Sequence, residues 1–158
     1  MAATINDLVE LLRHTRKHFL KHLNGLKDEQ WDWKPYPECK SIRETLAHLI
    51  ADDRAALQSL QTGKEPTYET LQESERDLTK LLALLDKSHQ ELCEFLLKKY
   101  ANAPLDTEVC VWGTKTKMAR GIPYFLSEDF YHAGQVAFIR MATDPKWDYY
   151  AAIYGGQG

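Results

Sequence analysis

The stretch Ser127-Glu128-Asp129-Phe130-Tyr131-His132-Ala133-Gly134-Gln135-Val136 decides how the rest of the chain is read. At about 100° per residue, Glu128 and His132 stack on one helix face, roughly 40° apart. Phe125, Val136 and Ile139 share that face, so two ionisable groups point where a core belongs. A buried carboxylate or imidazole is costly unless it is paired, hydrogen-bonded or bound to a metal. The bland alternative is a salt-bridged i, i+4 pair on a surface face. Asp129 offers an i, i+3 partner in place of Glu128 but falls nearer the edge of the apolar face. Gly134 costs about 1 kcal/mol in a helix interior, so it implies a neighbouring backbone packed close.

The other long segments have the same helical period. Ile5, Leu8, Leu12, Phe19 and Leu23 form one stripe, closed by Gly25-Leu26. Trp31, Trp33, Pro35 and Pro37 follow, and two prolines this close forbid a continuing helix. Ser41 with Glu44 three residues on is the capping-box pattern, opening a second helix to about Leu60. Thr62-Gly63-Lys64-Glu65-Pro66 breaks it. A leucine-rich third segment runs from about Tyr68 to Tyr100, with Glu and Lys on its outer positions. Between Asn102 and Arg120 the pattern fails: Glu108 to Trp112 is β-prone and Gly113 turns the chain. The fourth helix starts near Gly121-Ile122-Pro123, with proline acceptable in a first turn, and ends at about Met141. An aromatic tail (Trp147, Tyr149, Tyr150, Tyr154) is expected to pack back onto the body. These elements predict an all-α, up-down four-helix bundle, with a short irregular or hairpin segment before the last helix. Residues 1–158 are expected to form that bundle as a single domain.

Composition narrows the function classes. An apolar fraction of 44% and a charged fraction of 27% are ordinary for a globular protein. No apolar run approaches the roughly eighteen residues that cross a bilayer, and Met-Ala-Ala-Thr-Ile-Asn-Asp has no signal-peptide pattern. The expectation is a cytoplasmic protein without a membrane partner. A net charge of −3 with no long basic block argues against nucleic acid. Cys39, Cys93 and Cys110 are widely spaced and read as free thiols in a reducing compartment.

The fourth helix has a second apolar side, made of Leu126, Phe130, Ala133, Ala137 and Met141. A helix apolar on two sides is either central or shared, and a four-helix bundle has no central helix. A homodimer through the last helix follows as an expectation.

The remaining histidines are read by their faces. His14, His18 and His22 form a ladder, but among Arg13, Lys17 and Lys21 on a cationic, solvated face. His89 shows no partner and reads as surface. His48, flanked by Ala47, Ala51 and Ala55, occupies a boundary position on its helix. Asp52, one turn on, would orient its second nitrogen as in a carboxylate–histidine–metal arrangement. Periodicity alone nominates Glu128 and His132 and does not reach His48.

The chain resembles the DinB-like superfamily, which includes the YfiT-type proteins. The resemblance lies in Gly25-Leu26, Trp33-x-Pro35, Ser41-Ile42-x-x-Thr45-Leu46-x-His48-Leu49 and Tyr131-His132-x-Gly134-Gln135, in that order. It implies a four-helix bundle, often dimeric, that holds a divalent metal through three histidines. His48 and His132 match two of those positions, and the third falls on Glu128. Glutamate is itself a competent ligand, and a two-His-one-carboxylate set suits zinc or iron with open coordination positions. Zinc is favoured by the resemblance, with nickel, iron and manganese as alternatives.

The resemblance also implies thiol chemistry. Related proteins transfer or use low-molecular-weight thiols, because a metal depresses a thiol's pKa and presents the thiolate to an electrophile. On that basis His48, Glu128 and His132 hold the ion, Tyr131 and Gln135 contact substrate, and Asp52 supports the site. The expected partners are a small molecule and a thiol cosubstrate. A metal-dependent hydrolase needs the same three ligands. A non-catalytic small-ligand or partner-binding bundle with a degenerate site is the competing class.

Overall fold

The computed structural model describes residues 3–72 and 75–155. There are four long helices, α1 (Ile5–Lys21), α2 (Ile42–Thr62), α3 (Leu78–Tyr100) and α4 (Met118–Thr143), with a hairpin of β1 (Glu108–Val111) and β2 (Thr114–Lys117) between the last two. A short helix, α5 (Tyr149–Tyr154), follows. The protein is mostly helical, as its periodicity predicts. Among the described residues no helix is long and apolar enough to cross a membrane.

Helix ends follow local chemistry. The Ser41–Glu44 box forms: Ser41 N–H donates to Glu44 Oε2 at 2.9 Å, and Glu44 N–H donates to Ser41 Oγ at 3.2 Å. Gly63, with φ of 69°, ends α2 in the left-handed region that glycine tolerates. Two boundaries differ from expectation. The third helix begins at Leu78 rather than near Tyr68: Asp77 supplies its cap by accepting from Lys80 N–H, and Leu71 instead anchors the preceding segment in the core. Residues 73 and 74 of the expected helix lie outside the described residues. The fourth helix begins at Met118, three residues early, because Thr107 and Leu105 carbonyls accept from the Met118 and Ala119 N–H groups. Pro123 therefore lies beyond the first turn, where it forgoes one intrahelical bond.

Two apolar clusters set the direction of each helix. One gathers Ile5, Leu8 and Leu12 of α1 with Leu60 of α2, Leu92 and Leu96 of α3, and Ile122 of α4. The other gathers Phe19, then Leu46 and Leu49, Leu81 and Leu85, and finally Val136 and Ile139. The chain meets the first cluster then the second along α1 and α4, and the reverse along α2 and α3. The order is therefore up-down-down-up, which corrects the expected up-down alternation. The connection between Gly63 and Asp77 is long enough to return the chain before α3 starts. Packing joins α1 to α4, α2 to α3, α1 to α3 and α2 to α4.

The hairpin packs against α2 and α4. Val111 pairs with Thr114, leaving Trp112-Gly113 as a two-residue turn with φ of 46° and 84°, the positive values that hairpin turns require. Trp112 tolerates its conformation with three supports around the turn. Its indole N–H donates to Asp52 O at 3.4 Å, its ring meets Phe125 edge-on, and Gly113 N–H donates to Ser59 Oγ at 2.9 Å. At the other end, the tail returns to the body: Ile153 is buried, and Arg140 lies 4.3 Å over the Trp147 ring while donating to the His22 and Asn24 carbonyls.

On α4, Ala133 and Ala137 are buried within the chain and Leu126 packs on the core. The face expected to carry a dimer is thus largely used internally. The exposed apolar residues of α4 are Tyr124, Phe130, Tyr131, Phe138 and Met141, of which Tyr124, Tyr131 and Phe138 recur every seven residues. A Cβ built on Gly134 would meet nothing within 4 Å, so no neighbouring backbone of this chain explains that glycine.

Candidate metal centre

α2 and α4 bring His48, Glu128 and His132 together. Suitable ligand atoms from the three lie within 4.8 Å of one another. Glu128 Oε2 stands between the imidazoles, 3.7 Å from His48 Nε2 and 3.5 Å from His132 Nε2. The two rings meet edge-on with centroids 4.9 Å apart. The i, i+4 spacing on α4 does this work for Glu128 and His132, while α2 lifts His48 to the same level.

Hydrogen bonds prepare the histidines. His132 Nδ1–H donates to Gln135 Oε1 at 2.6 Å, which leaves Nε2 as the deprotonated nitrogen facing Glu128. That Nε2 is buried and has no hydrogen-bond partner. His48 Nε2 lies 3.1 Å from Asp52 Oδ2. Asp52 thus reaches the same nitrogen that faces Glu128, not the second nitrogen as expected. Burial holds His132 below its ordinary imidazole range. Burial, then the charges of His132 and Lys40, do the same for His48. Burial thus disfavours the charged form of both rings; His132 presents an unpartnered Nε2, whereas His48 Nε2 is engaged by Asp52. Burial, reinforced by Glu128 and Asp53, raises the Asp52 carboxyl to about 7. Carboxylates crowd this place beyond what its side chains neutralise.

The three groups lie on an open cleft of about 820 Å³. Tyr36, Cys39, Lys40, Tyr131, Gln135 and Phe138 also line it. Asp52 does not; it sits behind the ligands, beside a small cavity of about 10 Å³ that Glu128 also borders. An orphaned, buried imidazole nitrogen and an under-neutralised carboxylate cluster fit a divalent cation. His48, Glu128 and His132 are thus a set that could hold one.

The sequence profile of the DinB superfamily matches residues 11–136. The chain belongs to the DinB superfamily. The matched span includes all three candidate ligands and Gln135. No curated protein sequence matches the chain significantly. The family match and the candidate triad together suggest a divalent metal, and neither fixes which one. At the position where the resemblance implies a histidine, this chain has Glu128, whose Oε2 lies 3.7 Å from His48 Nε2 and 3.5 Å from His132 Nε2.

Other sequence candidates fall elsewhere. Among the described residues, His14, His18 and His22 do not join a metal-binding group. Their face is also drier than expected: His22 is buried, its Nδ1 is 2.9 Å from His18 O, and its ring contacts Tyr149. The C-terminal tail covers what the helix pattern left open. His89, expected at the surface, is buried with its Nε2 3.6 Å from Cys93 Sγ. Asp129, expected at an edge, is 1% exposed. The reason for both lies in a polar layer the sequence reading missed.

That layer centres on Arg16, which donates to Asp53 through both terminal nitrogens (3.1 and 3.2 Å) and to Asp129 through Nε (2.9 Å). Its signal was available. Arg16 falls in the apolar stripe of α1, between Leu12 and Phe19, and an arginine in such a stripe requires buried acids.

Proposed function

We propose that this protein is a metal-dependent thiol S-transferase, joining a low-molecular-weight thiol to an electrophilic small molecule. The observation that carries the reading is the convergence of His48, Glu128 and His132 in an open cleft, with His132 Nε2 buried and unpartnered. Zinc is the cation favoured; when bound, it would acidify a coordinated thiol and present it as a nucleophile.

The chain's own residues bind and orient. Gln135 fixes the His132 tautomer, and Asp52 holds His48 Nε2, a nitrogen it would have to yield to a bound ion. Tyr131 and Phe138 give the cleft aromatic walls, and Lys40 places a positive charge near His48 and His132. A thiolate and an apolar electrophile suit such a lining. The proposal includes a cytoplasmic location, and a homodimer through the exposed face of α4.

Elemental analysis of protein purified without a histidine tag is the first test. Near-stoichiometric transition metal supports the reading; less than about a tenth of an equivalent favours a non-catalytic binding bundle. The second test is conjugation of a panel of thiols to an electrophile by wild type, His48→Ala and Glu128→Ala. Equal rates in all three overturn the mechanism, and thiol-independent turnover that needs the metal redirects it to hydrolysis.

A further inference from the structure

We propose that Arg16 of α1 is the positioning residue of the metal site, setting the distance between His48 on α2 and Glu128 with His132 on α4. The inference rests on the metal-site reading above. Its starting point is that the ligands do not hold their own helices in place. Among the described residues, the polar contact joining α2 directly to α4 is His48–Glu128, at 3.7 Å. That is too long for a firm hydrogen bond.

Arg16 supplies the missing link. Its guanidinium grips Asp53 of α2 with two nitrogens and Asp129 of α4 with the third. Thr15 adds a bond to Asp129 at 3.3 Å, and Ser88 of α3 donates to Asp53 at 2.8 Å. All four long helices meet there. The layer lies between the two apolar clusters on every helix, since each cluster's residues stop short of it from opposite sides.

The sequence couples this layer to the site by adjacency. Asp53 follows Asp52, and Asp129 follows Glu128. A step of about 100° per residue turns the second acid of each pair inward to Arg16 and leaves the first on the metal side. His48 is one turn before Asp52, and His132 one turn after Glu128. Arg16, Asp53, Asp52 and Glu128 also border the same small cavity of about 10 Å³. A displacement of Asp129 therefore reaches Glu128 through a single peptide unit, and one of Asp53 reaches His48 through Asp52, which contacts its Nε2.

Stability alone is a poor reason to build such a layer. Replacing a buried ion cluster by well-packed apolar residues is often neutral or stabilising, whereas such clusters can fix register. A planar guanidinium reaches two carboxylates in set directions, which a lysine ammonium does not.

The test compares Arg16→Lys, the milder Asp129→Asn, and Arg140→Lys, a buried arginine that binds the His22 and Asn24 carbonyls just past α1, away from the site. Two readouts are taken on each folded protein: Co(II) affinity by competition titration, and, without metal, the NOE between the His48 and His132 ring protons. Arg16→Lys and Asp129→Asn are expected to weaken Co(II) binding at least tenfold and to reduce that NOE. Arg140→Lys should move neither by more than about twofold. Unchanged NOE in both layer variants overturns the proposal, as does equal loss in Arg140→Lys. If wild type binds no Co(II), the metal reading falls alone and the NOE still decides the positioning role. Should Arg16→Lys fail to fold, Asp129→Asn carries both readouts.

Discussion

Gln135 Oε1 accepts from His132 Nδ1 at 2.6 Å, and that bond selects which imidazole nitrogen faces Glu128. A residue holding the remote nitrogen of a metal-bound histidine typically contributes ten- to a hundred-fold in affinity. Gln135→Leu should therefore lower Zn(II) or Co(II) affinity by about that factor while leaving the fold intact. Gln135→Glu should keep most of it, because a carboxylate also accepts from Nδ1–H. Competition titration with a chromophoric chelator measures both. Equal affinity for Gln135→Leu and wild type would remove the residue from the site.

Glu128 is the member of the triad that departs from three histidines. Its i, i+4 relation to His132 and its place between both rings give a substitute ligand the same reach. Glu128→His is expected to retain near-stoichiometric metal, and Glu128→Gln to lose affinity by more than about tenfold, since a neutral amide oxygen is the poorer donor. Elemental analysis after dialysis reads both. Metal retained by Glu128→Gln at the wild-type level would mean that the carboxylate is a bystander and would fault the proposed triad.

What was legible in the sequence tracks how local each feature is. The Ser41–Glu44 box, the turn at Gly113 and the Glu128/His132 pairing depend on residues three or four apart, and each forms. His48 required the family pattern, because its helix position is intermediate and its partners sit on another helix. Arg16, Asp53, Asp129 and His89 were missed or misplaced for the converse reason. Asp53, Asp129 and His89 look like surface or edge groups on their own helices and become interior only when four helices meet. Arg16 shows its place only through its position in the apolar stripe of α1. The strand signal in Glu108 to Val111 was weak because a hairpin this short is stabilised by the helices it covers. The direction of α3 was hidden in a connection with no pattern to read.

The polar layer makes stability depend on pH through His89. Burial opposes its charge, but Asp53 and Cys93 more than offset this and raise the imidazole from 6.5 to about 9. Asp53 Oδ1 lies 3.9 Å from His89 Nδ1. A folded-state pKa above the unfolded value adds stability that is fully present below 6.5 and is lost as pH rises to about 9. Urea unfolding at the two ends of that window should show wild type less stable at the alkaline end. His89→Gln should lower stability at the acidic end and flatten the slope. A wild-type slope that persists undiminished in His89→Gln would assign the effect to another group.

Gly121 and Gly134 lie on the same helix and should respond oppositely to alanine. A Cβ on Gly121 would come within 2.6 Å of both Thr116 Cγ2 and Val111 Cγ2. Overpacking of this kind costs about 1–3 kcal/mol, against roughly 1 kcal/mol gained from helix propensity. Both methyls belong to the hairpin that α4 packs against, so relief of the clash means moving β1 and β2. Gly121→Ala is expected to be net destabilising, with a lower thermal midpoint. A Cβ on Gly134 meets nothing in the chain, so Gly134→Ala should gain about 0.5–1 kcal/mol, or roughly 1–4 °C, in the monomer. That second result also bears on assembly. Gly134 lies between the exposed Tyr131 and Phe138, at the rim of the cleft, so a dimer through this face would close over that rim. If a second copy packs closely there, the added methyl will weaken association in sedimentation equilibrium even as it stabilises the single chain. If Gly134→Ala stabilises the protein and leaves its sedimentation unchanged, the dimer either does not form or does not meet at this glycine, and Phe138→Asp separates those outcomes by disrupting only a dimer that uses this face.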